Sequence, residues 1–298
     1  MKHCLKCSIL FLERGTNVKT GMIILNYNDY ENTLKMIEQV KDYQILDKIV
    51  IVDNASKDDS KEKLKYLESD KIKLILARDN KGYAYGNNLG LKYLEKETDC
   101  TFAIISNPDI EVEESVIQEL VNDLKNNPDI SFIGPKVLEF GSISKGWKLP
   151  SYASELLSTM NYFHKFGKKM LRYEESYYQD KITPVEVIHG CFFVARLKDF
   201  KKLGYFDENT FLYYEENILG KKAKEQKKTI ALDTSVGVIH ALSKSVDKSL
   251  NKIKKYKILK QSMFYYETTY NHMRGLKLGL LKCFYYISLG ISYLTFWI

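Results

Sequence analysis

Five places in this 298-residue chain put carboxylates, amides or imidazole where an element of secondary structure should start or stop. Ser106-Asn107-Pro108-Asp109 follows the apolar run Phe102-Ala103-Ile104-Ile105. Pro108 cannot continue a strand ladder, so Asp109 stands just past a strand end. In open α/β sheets ligands bind beyond the carboxyl ends of the strands, which directs that carboxylate at a site. The same stretch also fits an ordinary Asx or proline turn. Val52-Asp53-Asn54-Ala55-Ser56 closes a second apolar run, and Asp53 could accept a hydrogen bond from a pyrimidine N3–H or act as a turn partner. Gly82 and Gly86, in Asn80-Lys81-Gly82-Tyr83-Ala84-Tyr85-Gly86-Asn87-Asn88, would let backbone amides approach a nucleotide at a helix start, or form a tight turn. Glu215-Glu216 opens a helical stretch, where the dipole alone favours acids. His240 comes late in the chain, either structural or facing a site.

The elements that must position these residues alternate. Strands are expected at residues 22–25, 48–52, 72–76 and 102–105, with helices at 33–40, 58–67, 85–96 and 115–126. Short β-branched runs of this kind fit strands covered on both faces, and their alternation with helices implies a parallel sheet with right-handed crossovers. The pattern weakens after Pro135. Residues 141–180, rich in Tyr, Lys and Ser, read as a loop-bearing insertion suited to acceptor specificity. Strand signal returns at 185–196, 229–232 and 236–242, with a helix at 215–227. Trp147, Tyr173, Tyr177 and Tyr178 have the chemistry to stack on sugar faces, although packing accounts for most such rings. His189, before Gly190, is placed to face an acceptor or to serve structure.

Length and composition give one catalytic unit with a core, a 1–21 extension, a 22–243 catalytic domain and a 244–298 appendage. Met22, opening the first strong strand, is a candidate natural start. Five cysteines without a paired framework argue for a reducing compartment, and Cys4-x-x-Cys7 with His3 lacks the further ligands of a zinc site. The net charge of +7 is concentrated. Between Ser243 and Lys282 ten Lys or Arg face only Asp247 and Glu267, so the rest of the chain is nearly neutral. Basic charge set beside an apolar tail, not on a reading domain, excludes a nucleic-acid binder and favours an anionic membrane surface.

Taken in order, these motifs together with Gly190-Cys191-Phe192-Phe193-Val194-Ala195-Arg196, Gly204-Tyr205-Phe206-Asp207-Glu208 and Phe211-Leu212-Tyr213-Tyr214-Glu215-Glu216 resemble the family-2 inverting glycosyltransferases of the GT-A fold, in particular the bacterial rhamnosyltransferase-like enzymes of capsular and cell-surface polysaccharide synthesis. The resemblance spans residues 22–245. It implies an α/β, GT-A-like nucleotide-diphospho-sugar transferase fold, with a mixed, mostly parallel central sheet and a C-terminal helical appendage. It implies a hexosyl- or rhamnosyltransferase that uses Mg²⁺ or Mn²⁺ and a UDP- or dTDP-sugar donor, with a lipid-linked glycan acceptor. Donor contacts would come from Asn26, Asp53, Asn54, Gly82, Gly86, Asn88 and Asn107. Asn107-Pro108-Asp109 stands for the family's Asp-x-Asp metal motif, with His240 as a further ligand, and Glu216 of the Glu215-Glu216 pair takes the place of the base. One carboxylate is a thin ligand set, which substrate phosphates and water would complete. The chain departs from the family at Ile218, where Asp is usual, and at Lys222, where Arg is common. That departure leaves open a degenerate transferase serving as a non-enzymatic scaffold. A nucleotidyltransferase is the enzymatic alternative, but it would carry its glycine-rich loop after the first strand, where this chain has Asn26-Tyr27-Asn28-Asp29.

In the appendage, Tyr256, Leu259, Met263, Tyr266 and Tyr270 recur at helical spacing among Lys254, Lys255, Lys257 and Lys260, and the last sixteen residues carry no charge. That tail is shorter than the ~20 apolar residues of a spanning helix. An interfacial or re-entrant helix holding the enzyme peripherally on the cytoplasmic face of the membrane is the expectation, with a helix packed on the catalytic domain and basic on its solvated side as the alternative.

Overall fold

The computed structural model describes residues 18–160, 163–241 and 251–295. Cys4, Cys7 and His3, the segment around residue 243, Phe296 and Trp297 lie outside the described residues.

The first half is a run of parallel βα units. β1 (Thr20–Asn26), β2 (Lys48–Asp53), β3 (Ile72–Leu76) and β4 (Phe102–Ser106) alternate with α1 (Tyr30–Val40), α2 (Ser60–Lys65) and α3 (Tyr83–Glu97). β1 lies between β2 and β4, parallel to both, and β3 edges β2. β1 begins two residues ahead of Met22, and Thr20 N–H is already held by Asp47 at 2.8 Å. Alternate residues of each strand serve opposite faces, as the two-residue period requires. Ile24, Ile51 and Ile104 pack under α1, α2 and α4 (Glu114–Asn126), whereas Ile23, Val50 and Ile105 pack under α3. In α4 the buried Ile117, Leu120, Val121 and Leu124 recur at three and four, the spacing of one helical face.

The second half closes the sheet with mixed pairings. β5 (Ile110–Glu111), β6 (Ile130–Glu139), β7 (Ser142–Ser144), β8 (Ile182–Val185), β9 (Phe192–Arg196) and β10 (Thr229–His240) give the order β3-β2-β1-β4-β9-β6-β10-β5, with β7 on β6 and β8 on β10. β9 runs antiparallel between β4 and β6, and β10 lies parallel to β6. The expected single strand at 185–196 is broken, with β8 ending at Val185 and β9 beginning at Phe192, and the two expected at 229–232 and 236–242 are one strand with an irregularity between Asp233 and Gly237. Residues 234–236 of β10 bulge out opposite the consecutive Pro135 and Lys136 of β6, and pairing resumes at Gly237, so the apolar pattern breaks within what is one strand.

The insertion is more ordered than its composition suggests. It holds β7, α5 (Tyr152–Thr159), α6 (His164–Met170) and a 3-10 turn at Glu175–Tyr177. α5 starts with a capping box, Ser151 Oγ accepting from Ser154 N–H while Ser154 Oγ accepts from Ser151 N–H. α7 (Leu197–Lys202) and α8 (Glu215–Glu225) follow β9, and α9 (Lys252–Thr269) and α10 (Gly275–Thr295) form the appendage.

α9 does not present its aromatic stripe outward. Met263 and Tyr266 are fully buried, in a small core with Tyr152, Leu156, Tyr214 and Leu281. Lys260, counted among the charges available to a membrane, is buried too, its Nζ donating to Thr159 Oγ1 at 2.7 Å. Burial holds its pKa down at about 8. The stripe is apolar because α9 packs on the catalytic domain.

Candidate active site

The sheet order sets the geometry. Asn26 and Asp53 are register partners at the ends of β1 and β2, and Asn107 lies just past β4 on the other side of β1. Two strand spacings separate the ends of β2 and β4, about 10 Å.

At the β2 end a closed polar set fixes Asp53. Asn26 Nδ2 donates to Asp53 Oδ1 at 2.7 Å, Ser56 Oγ donates to the same oxygen at 2.5 Å, and Ser56 N–H donates to Oδ2 at 3.2 Å. Thr33 Oγ1 donates to Asn26 Oδ1 at 2.8 Å, so the amide orientation is imposed from α1. Ala55, at φ 58°, sits in the left-handed region and turns the chain between Asp53 and Ser56. Asn54 Nδ2 donates to Asn80 Oδ1 and to the Gly82 carbonyl, tying the strand end to the glycine-rich loop, while its own Oδ1 is buried without a partner.

The glycines of the loop also have a packing role. A Cβ on Gly82, at φ +103°, would stand 2.1 Å from the Phe211 carbonyl oxygen, and one on Gly86 would stand 2.3 Å from Leu25 Cδ1. Both permit protein to approach protein, bringing α3 against β1 and the 211–214 loop against α3. Asn88 likewise clamps the chain: Nδ2 donates to the Phe206 carbonyl and Oδ1 accepts from Phe206 N–H, both at 3.0 Å.

The second centre gathers residues distant in sequence. Asp109 Oδ1 lies 3.3 Å from His240 Nε2 because β5 pairs with the end of β10, His240 opposite Ile110. His240 Nδ1 lies 3.2 Å from Glu139 Oε2, and the other Glu139 oxygen lies 3.5 Å from His189 Nε2. His189 lowers the Glu139 carboxyl to about 2, against the opposing effect of burial. Burial opposes protonation of His240, but Asp109 and Glu139 outweigh it and hold its pKa above the ordinary imidazole value. An aspartate beside an imidazole whose far nitrogen meets a carboxylate is a mixed oxygen and nitrogen pair, oriented from behind, that can hold Mn²⁺ or Mg²⁺ once substrate oxygens and water complete the shell. The residues fit such an ion. The Glu119, Asp123 and Asp233 carboxylates also cluster, but Lys181 Nζ already sits among them at 2.5, 2.7 and 3.8 Å.

Glu215 and Glu216 lie one residue apart in opposite environments. Glu215 is buried, with Oε1 unpartnered, and desolvation followed by the charge of Glu216 pushes its pKa well above the ordinary glutamate value, which favours its neutral form. Glu216 is half-buried and lies over Gly190, where a Cβ would stand 2.3 Å from its Oε1. Tyr83 OH donates to the Gly190 carbonyl at 2.7 Å, closing that floor. The buried Cys191 thiol, raised first by desolvation, also feels Glu139, Glu216 and Asp109, so the three carboxylates converge around it. Trp147 joins the same wall, its ring 5.7 Å from His189 and its Nε1 donating to Asn217 Oδ1 at 3.0 Å. Tyr173, Tyr177 and Tyr178 instead pack on one another. Ile218 is buried where the family pattern has Asp, and Lys222 donates to the Tyr205 carbonyl at 2.7 Å.

Sequence reasoning missed Glu139 and Ser56. Glu139 had one signal, an acid ending an apolar strand just before Phe140-Gly141, but only the folded sheet brings it to His240, 101 residues on.

Comparison with known proteins agrees with this architecture. The chain is 25% identical over 240 residues, 80% of its length and 73% of the relative's, to the low-salt glycan biosynthesis hexosyltransferase Agl10 of Haloferax volcanii. Among solved structures it is similar to GalNAc-T7 with UDP, GalNAc and Mn²⁺ (TM-score 0.60, 14% identity, 85% of this chain and 49% of that one, about half its length). It is also similar to S. aureus TarS 1–349 in complex with UDP-GlcNAc (0.56, 13%, 90% and 71%) and to the mannosyltransferase PcManGT of Pyrobaculum calidifontis with GDP-Man and Mn²⁺ (0.53, 13%, 91% and 74%). These structural likenesses concern the fold, which is of the GT-A type. Residues 22–204, well over half of the chain, match the profile "Glycosyl transferase family 2", and the chain belongs to that family.

Proposed function

We propose that this protein transfers a sugar, with inversion, from a UDP- or dTDP-activated donor to a lipid-linked glycan acceptor in surface-polysaccharide synthesis. The observation that carries the reading is the split between the two glutamates. Glu215 is enclosed in the protein, leaving Glu216, half-buried over Gly190 beside the Asp109 centre, as the carboxylate placed to take a proton from an acceptor hydroxyl. Removing that proton as the hydroxyl attacks the anomeric carbon, opposite the leaving diphosphate, gives inversion.

Asp53, held by Asn26 and Ser56, accepts from the base, and Asn54 Oδ1 offers a further acceptor. The interval of about 10 Å between the ends of β2 and β4 suits a nucleoside with its diphosphate directed to Asp109. Asp109 and His240 would hold a divalent cation, which when bound neutralises charge on the diphosphate leaving group. Glu139 fixes the His240 ring from behind. Trp147 and His189 line the acceptor side. The relatives carry UDP, UDP-GlcNAc and GDP-Man in their names, which supports a nucleotide-sugar donor while leaving its base to measurement. Agl10 supports a glycan product. Among the described residues no helix is long and apolar enough to cross a membrane, so access to a lipid-linked acceptor would come from peripheral docking through the appendage.

Glu216→Gln keeps shape and removes the proton acceptor. Transfer should fall by about 10²-fold or more while calorimetric donor affinity stays within about twofold. An active Glu216→Gln enzyme with a dead Glu215→Gln partner would move the base to Glu215.

A further inference from the structure

The appendage leaves one helix face uncovered, and a helix in the middle of the catalytic domain joins it. In α10 the inward face is set by Leu281 and Ser288, both buried. Leu276, Leu280, Ile287, Ile291 and Leu294 are 80%, 42%, 52%, 42% and 70% exposed. At 100° per residue these five fall in one stripe away from Leu281 and Ser288, extending about 27 Å along the helix. Such a stripe of aliphatics needs an occupant.

α6 carries a second stripe. Phe163, Phe166 and Met170 are 45%, 61% and 45% exposed at intervals of three and four, while Lys165, Lys168, Lys169 and Arg172 project from other sides, all exposed. Gly167 lets α6 lie against α5, since a Cβ there would stand 2.5 Å from Ser158 N. The next residue of α5, Thr159, accepts from Ser288 Oγ of α10 at 2.5 Å through its carbonyl. The two helices are therefore seated on consecutive residues of one short helix.

Charge selects the occupant. Among residues 160–173 there is no acid, and none follows Glu267, whereas Lys165, Lys168, Lys169, Arg172, Arg274, Lys277 and Lys282 are all exposed. A second copy of the chain would bring the same cations to face these, with no acids to meet them. Apolar side chains ringed by Lys and Arg match the interface of an anionic bilayer, the side chains entering the acyl boundary and the cations meeting lipid phosphates. We propose that α6, within the catalytic domain, is a second membrane contact that works with the outer stripe of α10 to seat the enzyme on an anionic membrane. This rests on the peripheral docking proposed above and adds a contact that the C-terminal segment alone does not supply.

The test is co-sedimentation of the full chain with vesicles of phosphatidylcholine and phosphatidylglycerol, against phosphatidylcholine alone. Phe163→Ser with Phe166→Ser should weaken partitioning about tenfold, as should Ile287→Ser with Ile291→Ser and Leu294→Ser. Lys165→Glu with Lys168→Glu and Lys169→Glu should weaken it only on the anionic vesicles, and less at high salt. Melting temperatures should change little, because every altered side chain is exposed. If the α10 variant loses binding while both α6 variants keep it, α6 is not a contact and tail docking alone stands. Absence of binding by the unaltered chain overturns both. A dimer seen by light scattering that the same variants dissolve, without vesicle binding, would make the stripes a self-association face and overturn the proposal.

Discussion

The two ends of this molecule handle polar groups in opposite ways. At the β1–β2 edge, Asn26, Thr33, Asp53 and Ser56 satisfy one another within 31 residues of sequence, through hydrogen bonds of 2.5–3.1 Å. In the layer formed by α5, α8 and α9, ionisable groups are buried with incomplete partners. Glu155 is buried and accepts from Tyr214 OH at 2.5 Å, while Glu267 is buried with Oε1 unpartnered. Desolvation lifts Glu155 above its ordinary pKa and Glu267 to about 7, and lowers Lys260 to about 8. The difference teaches where geometry is preset and where it depends on packing. Asp53 is aimed by neighbours on its own sheet edge. Glu216, by contrast, follows Tyr213 and Tyr214, both at φ 72° in the left-handed region, in a turn that α3, α5 and α9 hold from different sides. Ser262 Oγ donates to the Leu212 carbonyl at 2.8 Å, and Tyr265 and Tyr270 both donate to Asp207 Oδ2, at 2.8 and 2.5 Å.

The largest effect should come from disturbing the packing-dependent side at Glu216 itself. Gly190→Ala places a methyl 2.3 Å from the present position of Glu216 Oε1 and must displace that carboxylate. Transfer should fall about 10²-fold with donor affinity unchanged, read as kcat against calorimetric Kd. A Gly190→Ala enzyme of normal kcat would separate Glu216 from the chemistry. The counterpart on the preset side, Asp53→Ala, should act through binding, raising the donor Kd about tenfold to a hundredfold with little change in kcat at saturation.

Tyr214→Phe sharpens the contrast further, since it leaves the site untouched and removes only the grip on Glu155. We expect kcat to drop about tenfold, donor KM to hold, and stability to fall by about 1–2 kcal/mol. A loss confined to stability, with kcat intact, would make Tyr214 structural only.

Glu267 gives a pH signature that the β1–β2 edge should lack. Its folded pKa of about 7 lies above the ordinary carboxylate value, so the folded state holds the proton more tightly than the unfolded chain. The stability this contributes is fully present below pH 4.5 and is lost as pH rises to about 7. Glu155 adds in the same direction, Asn271 and Lys221 against it. Glu267→Gln should flatten that part of the stability curve and gain about 1–2 kcal/mol relative to the unaltered protein at pH 8, by chemical denaturation. An unchanged slope between pH 5 and 8 would place the ionisation elsewhere. The smallest effect belongs to Tyr177→Ala, which should alter transfer by less than about twofold, because Tyr177 stacks on Tyr173 at 4.2 Å.

What the sequence determined by itself is what short range can encode. β-branched runs between amphipathic stretches specify strands and crossovers, so the parallel half of the sheet, the strand-end placement of Asp53 and Asp109 and the helix start at Glu215 were all legible, and the order of the motifs carried the family. Beyond that, burial and long-range register decide, and neither is local. Lys260 reads as a surface charge until α9 packs it beside Thr159, and the tyrosine stripe reads as free until Met263 and Tyr266 meet Tyr214. Glu139 is one acid among many until β6 and β10 align it with His240. Glu215 and Glu216 are the same residue type one position apart, and the sequence has no means to tell them apart. A helix turns 100° between neighbours, which sends one carboxylate into the protein and the other over Gly190, so desolvation raises the pKa of the first while the second lies beside the site.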